Sequence, residues 1–221
     1  MLQLYNKLLE LPLFIGISTD ELSDIIEQTK FGFHKLPASR PLIRKDEKCD
    51  CLFFLMSGVL QVASYADSHR YCIEEELKAP AVIQPEHLFG LMQYYTKDVT
   101  AQTDCSLLSL AKPEVLRLLD SYLIFRLNFI NSLSMQAQRM GRIPWQKPSD
   151  DIRQQFITFL RHRCMTQAGR KILRIRMEDL AHELHQSRIN VSRMLHQLQR
   201  EGLLSMGRSI LTVPRLETLR D

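Results

Sequence analysis

Short apolar runs separated by turn residues fill the chain between about Phe31 and Leu110. Typical runs are Cys51–Met56, Val59–Val62 and Ser106–Leu110, with a tight turn expected at Ser57-Gly58 and a second break at residues 66–68. Several short strands at such spacing predict a β-sandwich or barrel. Before them, Ser18 and Glu21 have the spacing of a capping box, which predicts a short helix ending near Thr29.

A long helix is predicted from Ser121 to about Met140, after a helix that begins at Lys112-Pro113. One seam of this long helix has the alternating spacing of four and three residues that is typical of two-stranded coiled coils. Its members are Leu123, Leu127, Ile130, Ser134 and Ala137. Apolar residues also occupy a neighbouring face, so the helix needs cover on more than one side. Packing on its own β-domain would cover one face, and we expect a second copy of the chain, in a homodimer, to cover the seam.

Glycine and two prolines interrupt the helical pattern within residues 141–148, which predicts a domain boundary with a hinge at Pro144–Pro148. Ser149 is expected to cap the next helix. The elements that follow have the order helix, strand, helix, turn, helix and hairpin. They are a helix after Ser149, a strand at Ile172–Arg176, helices at Glu178–His185 and Gln186–Leu198, and a hairpin of Leu203–Met206 with Ile210–Val213. This order predicts a winged helix-turn-helix.

The helix at residues 186–198 contains no acidic residue. At about 100° per residue, one stripe is apolar and is expected to pack against Leu180, Ala181 and Leu184. That stripe consists of Val191, Met194, Leu195 and Leu198. The opposite face holds Arg188, Ile189, Ser192, Arg193 and His196. Phosphates and base edges favour such donors and repel carboxylates, so this face is predicted to bind DNA.

The charge distribution agrees with a polyanionic partner at the C-terminal end. Residues 145–221 hold 14 lysines and arginines against 8 acidic residues, whereas the first 144 residues hold 15 against 17. No apolar run approaches the roughly 18 residues that a membrane span needs. The N-terminus lacks the cleavage pattern of a secretory signal, and a cytoplasmic location without membrane contact is therefore expected.

Neither catalysis nor a metal site is predicted. The five cysteines are scattered, and Cys49 and Cys51 lack the spacing of zinc knuckles. His182 and His185 are three residues apart, whereas two ligands on one helix of a zinc protease are four apart. Phosphate-binding glycine loops and nucleophile elbows are absent from the sequence. The chain is therefore expected not to be an enzyme.

Several segments resemble the Crp/Fnr family of bacterial transcription regulators. Residues 177–188 (MEDLAHELHQSR) and 201–204 (EGLL) are similar to its helix-turn-helix, residues 45–59 to its β-roll, and residues 103–108 to the strand before its dimerisation helices. The resemblance implies an α+β fold with an N-terminal double-stranded β-helix, or β-roll, a long dimerisation helix and a C-terminal winged helix-turn-helix.

The same resemblance implies domain boundaries and a function. We expect an effector domain related to cyclic-nucleotide-binding domains at residues 1–120, a dimerisation helix at 121–143 and a DNA-binding domain at 144–221. The implied function is that of a homodimeric regulator that binds a palindromic operator, with RNA polymerase and a small-molecule effector as further partners. The alternative is a ligand-binding adaptor that docks an acidic protein.

In the family, a serine and two arginines contact DNA phosphates and base edges, which here correspond to Ser187, Arg188 and Arg193. With neighbours on the same helix and on the wing, the predicted DNA-binding residues are Ser187, Arg188, Ile189, Asn190, Ser192, Arg193, His196 and Arg208. Ile189 stands where the family frequently has a glutamate, and is expected to contact a thymine methyl group instead of a cytosine. His185 replaces a usual turn glycine, and Arg176 replaces a usual capping threonine.

The effector segment departs further from the family pattern. Members that bind cyclic AMP hold its phosphate with an arginine in an Arg-Ser-Ala motif, at the place where this chain has Tyr95-Thr96-Lys97. Because a lone lysine lacks the arginine fork, we do not expect cyclic AMP to bind. Members of the family that sense with an iron-sulfur cluster hold it with cysteines near the N-terminus. The first cysteine of this chain is Cys49, so such a cluster is not expected either. The candidate pocket for another effector consists of Glu86, Leu88, Phe89, Gly90, Tyr95, Thr96 and Lys97.

Overall fold

The computed structural model describes residues 2–145 and 149–219. Its α-helices are α1 (Leu2–Glu10), α2 (Thr19–Gln28), α3 (Lys112–Ser121), α4 (Leu123–Arg142), α5 (Ile152–Arg163), α6 (Met177–Glu183) and α7 (Arg188–Arg200). Its β-strands are β1 (Phe31–Leu36), β2 (Pro41–Ile43), β3 (Cys51–Ser57), β4 (Val59–Tyr65), β5 (Tyr71–Lys78), β6 (Ala81–Ile83), β7 (Asp98–Ala101), β8 (Cys105–Ala111), β9 (Lys171–Ile175), β10 (Ser205–Gly207) and β11 (Ile210–Val213). No helix in the described ranges is both long and apolar enough to cross a membrane.

The chain forms two compact units. The first contains Met1–Leu60 and Leu77–Arg139, and the second contains Gln61–Glu76 and Met140–Asp221. The boundaries expected from the sequence placed Gln61–Glu76 in the effector domain. Here most of the β4–β5 hairpin groups with the C-terminal part of the chain, because β5 pairs with β9.

The first unit is built on an antiparallel sheet with the strand order β1-β8-β3-β6, accompanied by the β2–β7 pair. The tight turn predicted at Ser57-Gly58 is confirmed: Gly58 has φ +96°, and a Cβ there would lie 2.6 Å from the carbonyl oxygen of Asp104. The capping box before α2 is also confirmed, since the Ser18 side chain accepts from the Glu21 backbone and the Glu21 carboxylate accepts from the Ser18 backbone.

Helices α3 and α4 continue this unit. As predicted, Pro113 lies in the first turn of α3. The prediction that the long helix begins at Ser121 is wrong by two residues, because extended backbone at Tyr122 ends α3 and α4 starts at Leu123. Phe125 of α4 is fully buried, with its ring centroid 5.1 Å from that of Phe14. One face of α4 is therefore part of the core of the first unit.

The second unit contains the strand order β10-β11-β9-β5-β4. Tyr71 of β5 is opposite Ile175 of β9, and Glu75 is opposite Lys171. Ile73 of β5 belongs to the same buried apolar cluster as the apolar sides of α5, α6 and α7. The hairpin thus contributes both hydrogen bonds and apolar surface to this unit.

Helix α5 begins at Ile152, and its N-cap is Asp151, whose side chain accepts a hydrogen bond from the backbone of Arg153. The expectation that Ser149 caps this helix is wrong. The Ser149 hydroxyl accepts from the backbone of Asp151 at 3.2 Å and therefore acts two residues before the N-cap. Both residues are good caps, and the position of the first helical residue decides between them.

Candidate nucleic-acid interface

Helix α7 is fixed by a cap at its start and an apolar stripe along one side. The Ser187 hydroxyl accepts from the backbone of Asn190 at 3.2 Å, as an N-cap serine does. The predicted stripe of Val191, Met194, Leu195 and Leu198 is buried in one cluster with Leu180, Ala181 and Leu184 of the preceding helix. This packing confirms the predicted buried face of the helix, and the opposite face is directed toward solvent.

The turn between α6 and α7 bends at His185, which has φ +51°. Residues other than glycine rarely adopt this left-handed backbone conformation, which explains why glycine is usual there. The backbone of Gln186 donates to Ala181 at 3.0 Å, and the Gln186 side chain donates to Gln155 of α5 at 3.1 Å. These two hydrogen bonds stabilise the turn although the left-handed conformation of His185 is unfavourable for a residue with a side chain. Arg176 at the start of α6 makes no side-chain capping bond.

The outer side of α7 forms a shallow groove. It brings together six of the eight predicted DNA-binding residues with Met177, which sequence reasoning did not single out. The groove is lined by Met177, Ser187, Arg188, Ile189, Ser192, Arg193 and His196. Ile189 is 69% exposed although it is apolar, so most of its side chain is open to solvent in the described part of the chain.

The other two predicted residues lie beside this groove. Asn190 lines a neighbouring depression with Asp150 and Asp151, and Arg193 borders both. Arg208 is exposed in the turn between β10 and β11, the position of the wing. The surface therefore extends from α7 in two directions.

One acidic residue intervenes in the groove region. A guanidinium nitrogen of Arg188 lies 3.1 Å from a carboxylate oxygen of Glu178, and both side chains are well exposed. An exposed ion pair of this kind stabilises a protein by less than about 1 kcal/mol, so phosphate can replace the carboxylate. Periodicity along one helix could not reveal this pair, because its members lie on different helices.

The candidate effector residues occupy the first unit. Leu88 and Tyr95 are buried in its core, and the Tyr95 hydroxyl donates to the carbonyl oxygen of Cys51 at 2.8 Å. Burial raises the pKa of the Tyr95 phenol far above its usual range. Gly90 has φ +89°, and Lys97 is half-buried.

Thr96, His87 and Glu86 form a chain of polar contacts that begins at Gln84, a residue that the sequence did not single out. Gln84 is buried and its backbone is left-handed. Its side-chain amide oxygen Oε1 accepts from both the backbone N–H and the hydroxyl of Thr96, each at 3.0 Å. The Thr96 hydroxyl also lies 3.1 Å from His87 Nε2, which is 3.6 Å from the carboxylate of Glu86. Among the described atoms, Gln84 Nε2 has no hydrogen-bond partner.

Phe89 joins the effector segment to α4. The Phe89 ring centroid lies 5.8 Å from that of Phe129 on α4. The ammonium group of Lys112 lies 5.1 Å from the Phe89 centroid. On α4, the members of the predicted dimerisation seam face away from this contact. Leu123, Leu127 and Ile130 are 55%, 44% and 48% exposed, Ala137 is exposed, and Ser134 is half-buried.

The predicted hinge is only partly visible. Helix α4 runs to Arg142 and is followed by a 3-10 turn at Ile143–Trp145. The rest of the hinge, Gln146 to Pro148, lies outside the described residues.

A β-roll joined by a long helix to a winged helix-turn-helix defines the class of two-domain DNA-binding regulators. A family model described as the cyclic nucleotide-binding domain matches residues 33–122, and one described as the Crp-like helix-turn-helix domain matches residues 154–221. The chain belongs to the Crp/Fnr family of DNA-binding transcription regulators.

Two solved structures show the same fold at low identity. A transcriptional regulator assigned to the Crp/Fnr family, from Eubacterium rectale, is 19% identical with a TM-score of 0.50, over 95% of this chain and 98% of that chain. The sensor domain of the regulator DNR from Pseudomonas aeruginosa is 16% identical with a TM-score of 0.52, over 67% of this chain and 96% of that chain. The search of curated proteins gives no match.

Proposed function

We propose that this regulator is a homodimer that binds a palindromic operator through α7 and responds to an effector other than cyclic AMP. The single observation that supports DNA reading by α7 best is the groove of donor side chains around the exposed Ile189. In this proposal the protein acts in the cytoplasm, and RNA polymerase is its partner at the promoter.

Six of the seven residues that line the groove have a role set by their chemistry. Arg188 and Arg193 present forked donors that suit phosphate oxygens and the O6 and N7 acceptors of guanine. Ser187, Ser192 and His196 add shorter donors for phosphates. Ile189 cannot accept a hydrogen bond from cytosine, and its side chain suits the methyl group of thymine.

Dimerisation is supported by the two-sided character of α4. Phe125 and Phe129 are buried on the side that packs within the first unit, whereas Leu123, Leu127 and Ile130 are left exposed on the other side. Three large apolar residues along a seam of coiled-coil spacing favour association with an identical seam. The dimer would place two α7 helices about 34–36 Å apart, one turn of DNA.

An effector different from cyclic AMP is supported by the residues at Tyr95-Thr96-Lys97. Tyr95 is committed to the core, Thr96 to Gln84, and Lys97 carries an ammonium in place of a guanidinium fork. The contact of Phe89 with Phe129 gives an effector in this segment a direct packing route to α4. Such an effector would act through different affinities for two arrangements of the protein.

Selection of bound duplexes from a random pool, followed by binding measurements over a range of salt concentrations, tests DNA reading. We expect a palindromic site, a steep loss of affinity as salt rises, and loss of base preference in Arg188→Ala and Arg193→Ala. The matched control is Arg215→Ala, which removes the same charge at an exposed position beyond the other end of β11. Unchanged base preference in both groove variants would overturn the proposal.

A further inference from the structure

A second basic surface lies at one end of the sheet in the second unit. The start of β5, the end of β9 and the turn between β10 and β11 meet there, because Tyr71 is opposite Ile175 and the Ile175 backbone donates to Ser209 at 3.0 Å. An arginine stands just beyond each of these strand ends. They are Arg70 before β5, Arg176 after β9 and Arg208 in the wing turn.

The tip of the β4–β5 hairpin is an ordered turn. The backbone of His69 donates to Ala66 at 2.9 Å, and the backbone of Ala66 donates to Tyr71 at 3.1 Å. His69 and Arg70 are exposed and line a groove shared with Arg176 and Ser209. The exposed acidic residue of the turn is Asp67.

The acidic partners of this surface lie beneath the arginines. Arg70 is 61% exposed, whereas Asp179, 3.8 Å from its guanidinium, is only 17% exposed. In the same way Arg174 is 48% exposed and its partner Glu74 only 13%. Each carboxylate therefore orients a guanidinium from the inner side, and the outer side presents the positive groups.

This surface is continuous with the groove of α7. Asp179, which holds Arg70, and Glu178, which holds Arg188, are consecutive residues in the first turn of α6. Arg176 lines the hairpin groove, and Met177, the next residue, lines the groove of α7. A duplex seated on α7 therefore meets positive groups from the hairpin tip without leaving the protein surface.

We propose that the tip of the β4–β5 hairpin is an additional DNA-binding element, in which Arg70, with His69 beside it, binds phosphates next to the base pairs read by α7. The inference rests on the proposed DNA reading by α7. Phosphate contacts fix position and contribute affinity without base preference, so the hairpin holds the duplex and α7 reads it. A segment inside the cyclic-nucleotide-binding match thus takes part directly in the DNA interface.

Binding of the full chain to its selected duplex over a range of salt concentrations tests the hairpin. For Arg70→Ala we expect roughly tenfold weaker binding and a salt dependence less steep by about 0.9 per subunit, equally for specific and random duplexes. Arg70→Lys should retain the salt dependence because it retains the charge. The matched control, Arg215→Ala, should leave affinity and salt dependence unchanged.

Two further measurements keep the outcome clear. Phosphate-ethylation interference should show flanking phosphates that matter for the natural chain and no longer matter for Arg70→Ala. Thermal unfolding identifies any loss of structure. If Arg70→Ala is unstable, Arg70→Gln replaces it, because glutamine removes the charge but retains a polar side chain of similar shape.

If Arg70→Ala behaves like Arg215→Ala while Arg188→Ala loses base preference, the hairpin proposal is wrong and DNA reading by α7 stands. If Arg188→Ala and Arg193→Ala keep base preference, DNA reading by α7 is wrong, and the hairpin proposal falls with it.

Discussion

The ammonium nitrogen of Lys171 lies 2.7 Å from a carboxylate oxygen of Glu75, and each side chain keeps only 1% of its surface exposed. The Glu75 carboxylate also accepts from the backbone of Met165 at 2.6 Å and of Thr166 at 3.2 Å, and Lys171 donates to the Thr166 hydroxyl at 2.6 Å. This network fastens the β4–β5 hairpin to β9 and to the loop before it.

Glu75→Gln should therefore lower the free energy of unfolding by about 3–5 kcal/mol, because it leaves a buried ammonium without a counter-charge. Urea denaturation of the full chain measures the loss. The neighbouring Glu76, paired with Arg170 at 3.7 Å near the surface, provides the control. Glu76→Gln should cost less than about 1 kcal/mol, and equal losses in the two variants would contradict the interpretation.

His185→Gly should stabilise the protein by about 1 kcal/mol, because glycine adopts the left-handed conformation without steric cost. The control is His182→Gly, three residues earlier inside α6, where glycine should destabilise by about 1 kcal/mol. Thermal or urea unfolding of the two variants shows whether each change raises or lowers the free energy of unfolding. A stability loss in His185→Gly would show that the turn needs the imidazole.

The contact proposed for Ile189 predicts sensitivity to one methyl group of the operator. Replacing thymine by deoxyuridine at the position opposite Ile189 should weaken binding by about 0.8 kcal/mol, roughly fourfold, because one methyl group is no longer buried. The same replacement should have no effect on Ile189→Ala. A cytosine preference at this position, or equal effects in both proteins, would refute the assignment.

Leu127→Glu should dissociate the proposed dimer, weakening association on the order of 100-fold, because a carboxylate would replace a leucine at the centre of the seam. Leu127 is 44% exposed in the single chain, so stability of the monomer should change little. Analytical ultracentrifugation measures the association. Met135→Glu introduces the same group at a position that is 68% exposed and lies outside the seam, and it should leave the proposed dimer intact.

Calorimetry with cyclic AMP should show no sub-micromolar binding, because the segment at Tyr95-Thr96-Lys97 has no guanidinium fork for the cyclic phosphate. A duplex titration of the same sample checks that the protein is active. Sub-micromolar binding of cyclic AMP would show that a residue outside this segment supplies the phosphate contact.

Local patterns in the sequence predicted much of this fold. The capping box at Ser18 and the buried stripe of α7 depend on spacings within one helix, and both are confirmed. The strands follow from short apolar runs separated by turn residues. The turn at Gly58 combines a positive φ with a close approach of the Asp104 carbonyl, which together favour glycine.

Relationships between distant segments were not predicted. The pairing of β5 with β9 joins residues about a hundred positions apart, and neither strand shows its partner in its own pattern. Burial of Leu88 and Tyr95 depends on how the loop around them folds onto the first unit, which composition does not encode. The pairs of Arg70 with Asp179 and Arg188 with Glu178 arise only after the helices and the hairpin come together.

The Ser187 hydroxyl can accept one hydrogen bond and donate another. Its oxygen accepts from the backbone of Asn190 and so begins α7, while its own hydrogen remains available to a phosphate outside the helix. Aspartate would cap the helix equally well but would turn a negative group toward the duplex, and alanine would offer neither bond. If α7 binds DNA as proposed, acceptor inward and donor outward favour side chains that can both accept and donate, which are serine, threonine and asparagine.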